Sequence, residues 1–459
     1  MDHERSRLTE ADRLLLDRLV HARVRASTVD PERREGRVTR EIDRSCWLDF
    51  NDLPGYREQR LLQSAASALG LKDPYFLLHE KDAGASTVMD GRRMINFSSY
   101  DYLGLNRHPA VRAAAHAAIE KYGVSASASR LVAGERPIHR ALESALADHC
   151  GQEACLTFVS GHAANVSTIG ALLGPRDLVV HDALAHNSIV LGAQLSLAER
   201  RSFAHNDLEA LDSMLHAIRD RYERVLIVAE GLYSMDGDVC DLPALIELKE
   251  RRQAWLMIDD AHGLGVLGPR GRGVFEHFGV DPRRVDIWMG TLSKTLAACG
   301  GYISGASALV DYLKHAAGGF VYSVAMPPPI AAAALAALEI LHAEPERVAR
   351  LQNNARQFSS ACRRAGLDIG ASIGEAIVPV MTGDSIRAVA LSQRLNQRNI
   401  NVQPIIAPAV PEQLARLRFF LSSEHEPTEM AASVQTTAEE FESMRGSKPT
   451  ALLGSQEEA

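Results

Sequence analysis

Gly290-Thr291-Leu292-Ser293-Lys294-Thr295-Leu296-Ala297-Ala298-Cys299-Gly300-Gly301-Tyr302 is the stretch whose reading decides the fold. Lys294 stands among small and hydroxyl-bearing residues, with Thr291 and Ser293 just ahead of it. The preceding run Asp286-Ile287-Trp288-Met289 reads as a buried strand, and Gly300-Gly301 opens the next one. A lysine held in a dry place loses proton affinity and becomes a good amine nucleophile. Alone, the pattern is that of an ordinary turn lysine, so its meaning depends on what surrounds it.

Upstream lies Trp255-Leu256-Met257-Ile258-Asp259-Asp260-Ala261-His262-Gly263. An apolar strand ends there in two carboxylates, then a histidine, then a glycine. In open α/β sheets the chemistry gathers at the carboxyl ends of the strands, so Asp259, His262 and Lys294 are expected to face one crevice. A buried acid beside an amine-forming lysine is what pyridoxal 5′-phosphate (PLP) needs, because the acid keeps the pyridine nitrogen protonated and the ring electron-poor.

Asp-Asp-Ala-His-Gly, followed by Gly-Thr-x-Ser-Lys and a Gly-Gly pair, resembles the α-oxoamine synthases. These fold-type I PLP enzymes include aminooxononanoate synthase, aminoketobutyrate ligase, aminolevulinate synthase and serine palmitoyltransferase. The resemblance runs from about Asn96 to about Phe441. It implies an α/β fold, that of a fold-type I PLP-dependent transferase. Such a chain has a large domain with a mainly parallel, seven-stranded-type sheet, plus a small C-terminal α+β domain. It also implies a homodimer with shared active sites.

Composition sets the frame. The chain has 459 residues, 46% apolar and 24% charged, an ordinary balance for a soluble globular protein. The formal charge of −8 argues against nucleic acid as a partner. No apolar run approaches the length of a membrane span, and the first twenty residues are too charged for a signal peptide. The six cysteines are scattered without a CxxC pair, which favours free thiols in a reducing cytoplasm over disulfides or a metal site. No metal is expected.

Five segments follow from the chain in order. Residues 1–45 read as an N-terminal helical arm, capped by Thr9, with Leu15, Leu16, Leu19, Val20 and Val24 as an apolar stripe. The arm is expected to pack on the body or on a dimer mate; the rival reading is a docking helix for a partner protein. Residues 46–108 form a lead-in, with a helix near 56–69, a strand at Tyr75-Phe76-Leu77-Leu78 and a hairpin turning at Asp90-Gly91. Residues 109–345 form the large PLP-binding domain, where strands and helices alternate. Residues 346–445 form the small domain, with strands at Ile377–Val380, Val402–Ile405 and Ala415–Phe420. Residues 446–459 read as a disordered tail.

Within the large domain, Cys155–Val159 followed by Ser160-Gly161-His162 is a strand, a glycine turn and a helix start, which is an anion site. The resemblance implies that this turn holds the PLP phosphate, with His162 beside the cofactor. It implies that His186 stacks on the cofactor ring and that His262 hydrogen-bonds the ring's phenolic oxygen. The family's Glu-Gly-x-x-Ser-Met-Asp-Gly run is intact from Glu230 through Ser234 to Gly237. Tyr100 lies in a run similar to the family's mouth sequence, and Ser129 ends a small-residue run, Ser125–Arg130, in which the usual glycines are missing. Ser323 matches one of two hydroxyls that reach the partner subunit's phosphate, while Val324 replaces the second.

Two arginines, Arg416 and Arg418, share one face of a strand, and spacing does not choose between them. The resemblance selects Arg418 as the one that pairs with the amino-acid carboxylate. The implied reaction is a decarboxylative condensation of glycine, alanine or serine with an acyl thioester on coenzyme A or a carrier protein. Lys294 carries the cofactor and takes the Cα proton, and an α-amino ketone is released. The alternatives are an aminotransferase of the same fold and a non-catalytic PLP-binding regulator.

Overall fold

The computed structural model describes residues 48–68 and 70–444. The expected N-terminal arm with its Thr9 cap and the tail at 446–459 lie outside those residues.

The first strands form a hairpin, β1 (Ser86–Met89) and β2 (Arg92–Asn96). Asp90 and Gly91 both take the left-handed conformation, φ 49° and 68°, which matches the twist of a two-residue turn. Seven strands of one sheet follow: β3 (Ala154–Phe158), β4 (Leu178–Asp182), β5 (Glu199–Phe203), β6 (Val225–Glu230), β7 (Trp255–Asp259), β8 (Ile287–Thr291) and β9 (Gly301–Gly305). Their spatial order is β3-β9-β8-β7-β6-β4-β5. Neighbours run parallel except at β9, which is antiparallel to both β3 and β8.

The central strands are apolar on both faces because helices cover both. Val225 and Ile227 pack into one buried cluster with Leu178 and Val180, while Leu226 and Val228 face the other with Val179. The sequence therefore shows unbroken apolar runs here rather than alternation. The carboxyl ends of β6, β7 and β8 line up, with Glu230 paired in register to Asp259.

The later strands are β10 (Ile377–Met381), β11 (Ile400–Asn401), β12 (Gln403–Ile405) and β13 (Arg416–Phe420). β10, β13 and β12 make a small antiparallel sheet. β11 instead pairs parallel with β2, so the early hairpin shares a sheet with a strand from the far end of the chain. The strand expected at 402–405 forms over Gln403–Ile405, and the buried Val402 separates it from β11, which joins the other small sheet.

The strand expected at Tyr75–Leu78 does not form. Phe76 takes φ 56° and is 95% exposed, which breaks the extended run and leaves the apolar side chains without a sheet partner. The helix expected near 56–69 forms over Pro54–Ala68, with Ala65 its one buried residue.

Candidate active site

Lys294 sits in the short connection between antiparallel neighbours β8 and β9. The connection closes on itself: the Leu292 N–H donates to Gly300 O at 2.9 Å and the Ala298 N–H to Leu292 O at 3.0 Å. Thr295 Oγ1 donates to Leu264 O at 2.7 Å, fastening this loop to the one that follows His262. A side chain at Gly265 would put its Cβ 2.2 Å from Thr295 Cγ2, so that fastening requires glycine there. Burial pulls the Lys294 amine down to about 8, while Asp259 and Glu230 oppose the shift. Its ammonium lies 5.8 Å from the Tyr100 ring centre.

Asp259 ends β7 and is oriented from two sides. Its Oδ1 accepts from the Ala261 N–H at 3.1 Å, and its Oδ2 accepts from Asn165 Nδ2 at 2.8 Å. The same Asn165 amide donates to Ser188 Oγ at 2.9 Å. His186 caps the helix Asn187–Ser196. Its backbone N–H donates to Glu230 Oε1 at 2.6 Å, and its Nδ1 lies 2.7 Å from Ser188 Oγ. Burial lowers the proton affinity of the His186 ring. Burial likewise holds His262 well below its usual range, so its ring is neutral, with Nδ1 2.8 Å from the fully buried Tyr102 hydroxyl. Desolvation drives Glu230 far above the usual carboxylate range, next to Asp259.

At the other end of the cleft, Ser160 caps the helix Gly161–Leu172, its Oγ accepting from the Ala163 N–H at 3.0 Å. The cradle here is bare backbone. A Cβ on Gly161 would lie 3.1 Å from Met289 Cε and 3.2 Å from Thr291 Oγ1, and one on Gly301 only 2.5 Å from Gly161 Cα. Thr291 Oγ1 is within 2.7 Å of Ser293 Oγ and donates to Gly300 O at 2.9 Å. His162 is exposed at the first turn of that helix.

The two arginines of β13 separate cleanly. Arg416 is 2% exposed and held by the protein: Nη1 donates to Met235 O at 2.8 Å and to Asp236 Oδ1 at 2.5 Å, and Nε to Leu414 O at 2.9 Å. Arg418 stacks over Phe420, 4.6 Å from guanidinium carbon to ring centre, and donates from Nη1 to Ser234 O at 3.0 Å. Its buried Nε has no partner. An unpaired guanidinium N–H in a cleft is an open position for an anion.

Ser234 therefore contributes its backbone carbonyl, while its side chain is half-buried. Ser129 is half-buried and opens the turn Arg130–Gly134, its carbonyl accepting from the Gly134 N–H at 2.8 Å. Arg130 beside it is locked to Glu135 and Glu143. Ser323 follows the short helix Gly318–Val321, between the exposed Tyr322 and Val324.

Sequence reasoning did not single out Asn165 or Ser188, and it gave Tyr102 no partner. Asn165 had a readable signal: it lies four residues beyond Gly161, hence on the same face of the helix as the anion turn. Tyr102 stands in the same family-like run as Tyr100, but its partner His262 is distant in sequence.

These residues fit pyridoxal phosphate. The lysine amine is partly deprotonated near neutrality, the cradle excludes side chains where a phosphate must approach backbone, and the carboxylate is pre-oriented by two donors. Among the described residues no cluster of ligating side chains could hold a metal ion. No described helix is long and apolar enough to cross a membrane.

Comparisons with known proteins agree with this chemistry. Residues 92–435 match the family described as aminotransferase class I and II. The chain is 38% identical over 356 residues to 8-amino-7-oxononanoate synthase of Thermoanaerobacter pseudethanolicus, covering 78% of this chain and 90% of that one. It is 43% identical over 355 residues to the enzyme of the same name from a Methylobacterium species, covering 77% and 89%. Among solved structures, serine palmitoyltransferase of Sphingomonas wittichii superposes with TM-score 0.82 at 30% identity, covering 86% of this chain and 99% of that one. The 8-amino-7-oxononanoate synthase of Francisella tularensis superposes with TM-score 0.66 at 26% identity, covering 76% and 98%.

Proposed function

This chain belongs to the α-oxoamine synthase family, within the class I and II aminotransferases, and from that premise we propose how its residues divide the work. It is a PLP-dependent acyltransferase that joins an amino acid to an acyl thioester with loss of carbon dioxide. When bound, PLP supplies an electron sink for negative charge at the amino acid's Cα.

The observation that carries the residue assignment is the convergence of Lys294, Asp259 and the half-satisfied Arg418 on one cleft. Lys294, with its amine near 8, has a neutral fraction at physiological pH that attaches the cofactor and then takes the Cα proton. Asp259, held by Asn165 and the Ala261 N–H, would face the ring nitrogen and favour its protonated form. His186 would cover one face of the ring. With His262 Nδ1 accepting a hydrogen bond from the Tyr102 hydroxyl, its Nε2–H would be free to donate to the phenolic oxygen. Ser160, Gly161, His162, Thr291 and Ser293 line the phosphate end. Glu230, pushed towards its neutral form, avoids a second negative charge beside Asp259. Ser234 presents the carbonyl that steadies Arg418, and Tyr100 and Ser129 border the substrate mouth.

The amino acid is small (glycine, alanine or serine), and the acyl group arrives on coenzyme A or a carrier protein. The working unit is a homodimer in which Ser323 serves the partner's phosphate site. In support, Val132 is 80% exposed and Tyr322 90% exposed in the single chain, an apolar rim that a second copy would cover. The compartment is the cytoplasm, in keeping with five described cysteines that are all free.

The test is a thiol-release assay crossing glycine, alanine and serine with a panel of acyl thioesters. One amino acid is expected to dominate, with one thiol freed per carbon dioxide. Transfer of an amino group without thiol release would overturn the reading. In the same assay, Arg418→Lys replaces a fork with a point charge and is expected to raise the amino-acid KM by about tenfold or more, with the acyl-thioester KM little changed. An unchanged amino-acid KM would remove Arg418 from this role.

A further inference from the structure

His205 lies just beyond β5, outside the cleft, and bridges two carboxylates. Its Nδ1 lies 2.9 Å from Asp182 Oδ1 and its Nε2 2.7 Å from Asp238 Oδ2. Two carboxylates can be satisfied at once only if both ring nitrogens carry hydrogen, so the geometry calls for the imidazolium. One carboxylate ends a strand of the central sheet and the other lies on the loop that follows β6. Asp182 ends β4 and its Oδ1 also accepts from the Leu184 N–H at 2.8 Å, at the start of the segment that leads to His186. Asp238 belongs to the 231–239 loop, whose Tyr233 N–H donates to Asp238 O at 2.9 Å. The Tyr233 ring stands edge-on to the imidazole at 4.5 Å. The neighbouring Asn206 repeats the bridge: its N–H donates to Asp182 Oδ2 and its Nδ2 to Asp238 Oδ2, each at 2.9 Å.

The 231–239 loop presents Ser234 O to Arg418 and both Met235 O and Asp236 Oδ1 to Arg416. We propose that His205 is a positioning residue for amino-acid recognition: it clamps this loop to the end of β4 and through Ser234 O fixes the Arg418 guanidinium. The inference rests on the reading of Arg418 as the carboxylate-binding residue. Asp182 and Asp238 are the charged groups facing the ring, and they raise its pKa to about 10 against the desolvation that opposes charging. The clamp's contribution to stability is therefore full below the ordinary histidine value of 6.5 and is lost as pH rises towards 10.

The experiment is steady-state kinetics of the holoenzyme with His205→Gln, alongside hydrogen exchange of the loop amides. Charge-assisted hydrogen bonds of this kind predict an amino-acid KM raised about tenfold, with acyl-thioester KM and PLP content within about twofold of wild type. The Tyr233 and Gly237 amides are expected to exchange faster. Asp238→Asn keeps the shape of the clamp and weakens the same bridge, so it carries the test if His205→Gln does not fold; the same selective KM effect is expected. An unchanged amino-acid KM, or equal changes in both substrates' KM values, would overturn the proposal. Arg418→Lys run in parallel separates the two ideas. If it raises the amino-acid KM and the clamp variants do not, the clamp fails alone; if it leaves that KM unchanged, the underlying reading fails.

Discussion

Lys294→Ala is expected to fold, to bind the cofactor only non-covalently, and to lose turnover by about ten-thousandfold or more. The loss is large because one amine performs two tasks, attachment of the cofactor and removal of the Cα proton. Borohydride treatment of the wild type should fix the cofactor to the peptide containing Lys294, and no peptide of the variant should be labelled. Native turnover in the variant would remove Lys294 from the chemistry. A second outcome comes from the protein without cofactor. The folded amine titrates at about 8 against an ordinary 10.5, so at neutral pH folding must bury a charge that the unfolded chain leaves in water. Alanine removes that penalty. Cofactor-free Lys294→Ala should therefore melt higher than cofactor-free wild type near pH 7. The difference should shrink as pH rises from about 8 through 10.5, where the wild-type amine is neutral in both states.

Asp259→Asn is expected to keep the fold and to cut turnover on the order of a thousandfold, several kcal/mol of transition-state stabilisation. The side chain keeps its size, so Oδ1 can still accept from the Ala261 N–H. Its charge is gone, however, and an amide now faces the Asn165 amide, where two N–H groups meet unless one flips. Retention of the bound cofactor's spectrum with collapsed turnover would locate the defect in charge stabilisation. Native turnover would show that the carboxylate does not tune the ring.

All of the central sheet but its polar edge strand β5 (Glu199–Phe203) was legible, because strands covered on both faces leave unbroken apolar runs, as in Val225–Glu230, each ending in a polar or glycine-bearing turn. Lys294 and Asp259 were legible for the same reason, since each stands at the end of such a run. Tyr75–Leu78 misled because an apolar run states that burial is wanted and not what will supply it; here no neighbouring strand does. Arg416 and Arg418 could not be told apart by period, since both point to one face. What divides them is the 231–239 loop, where Asp236 and Met235 O hold one guanidinium, while the other meets only Ser234 O and the Met235 sulfur there. Asn165, Ser188 and His205 act across helices and strands that only the folded chain brings together.

The pairing of β2 with β11 sets a clock on biosynthesis. Ile95 waits for Ile400, and the Phe97 N–H and C=O wait for Asn401 O and the Phe420 N–H. Some three hundred residues must leave the ribosome in between, which at 5–20 residues per second is on the order of 15–60 s. During that interval the hairpin offers the unpaired edge of β2, with Met94 and Phe97, both wholly buried in the finished protein, still uncovered. The nascent chain thus passes through a long window in which its first folded piece is a target for holding chaperones and a nucleus for association between chains on one polysome. Slowed translation of the last hundred codons should lower soluble yield more than slowing of the first hundred.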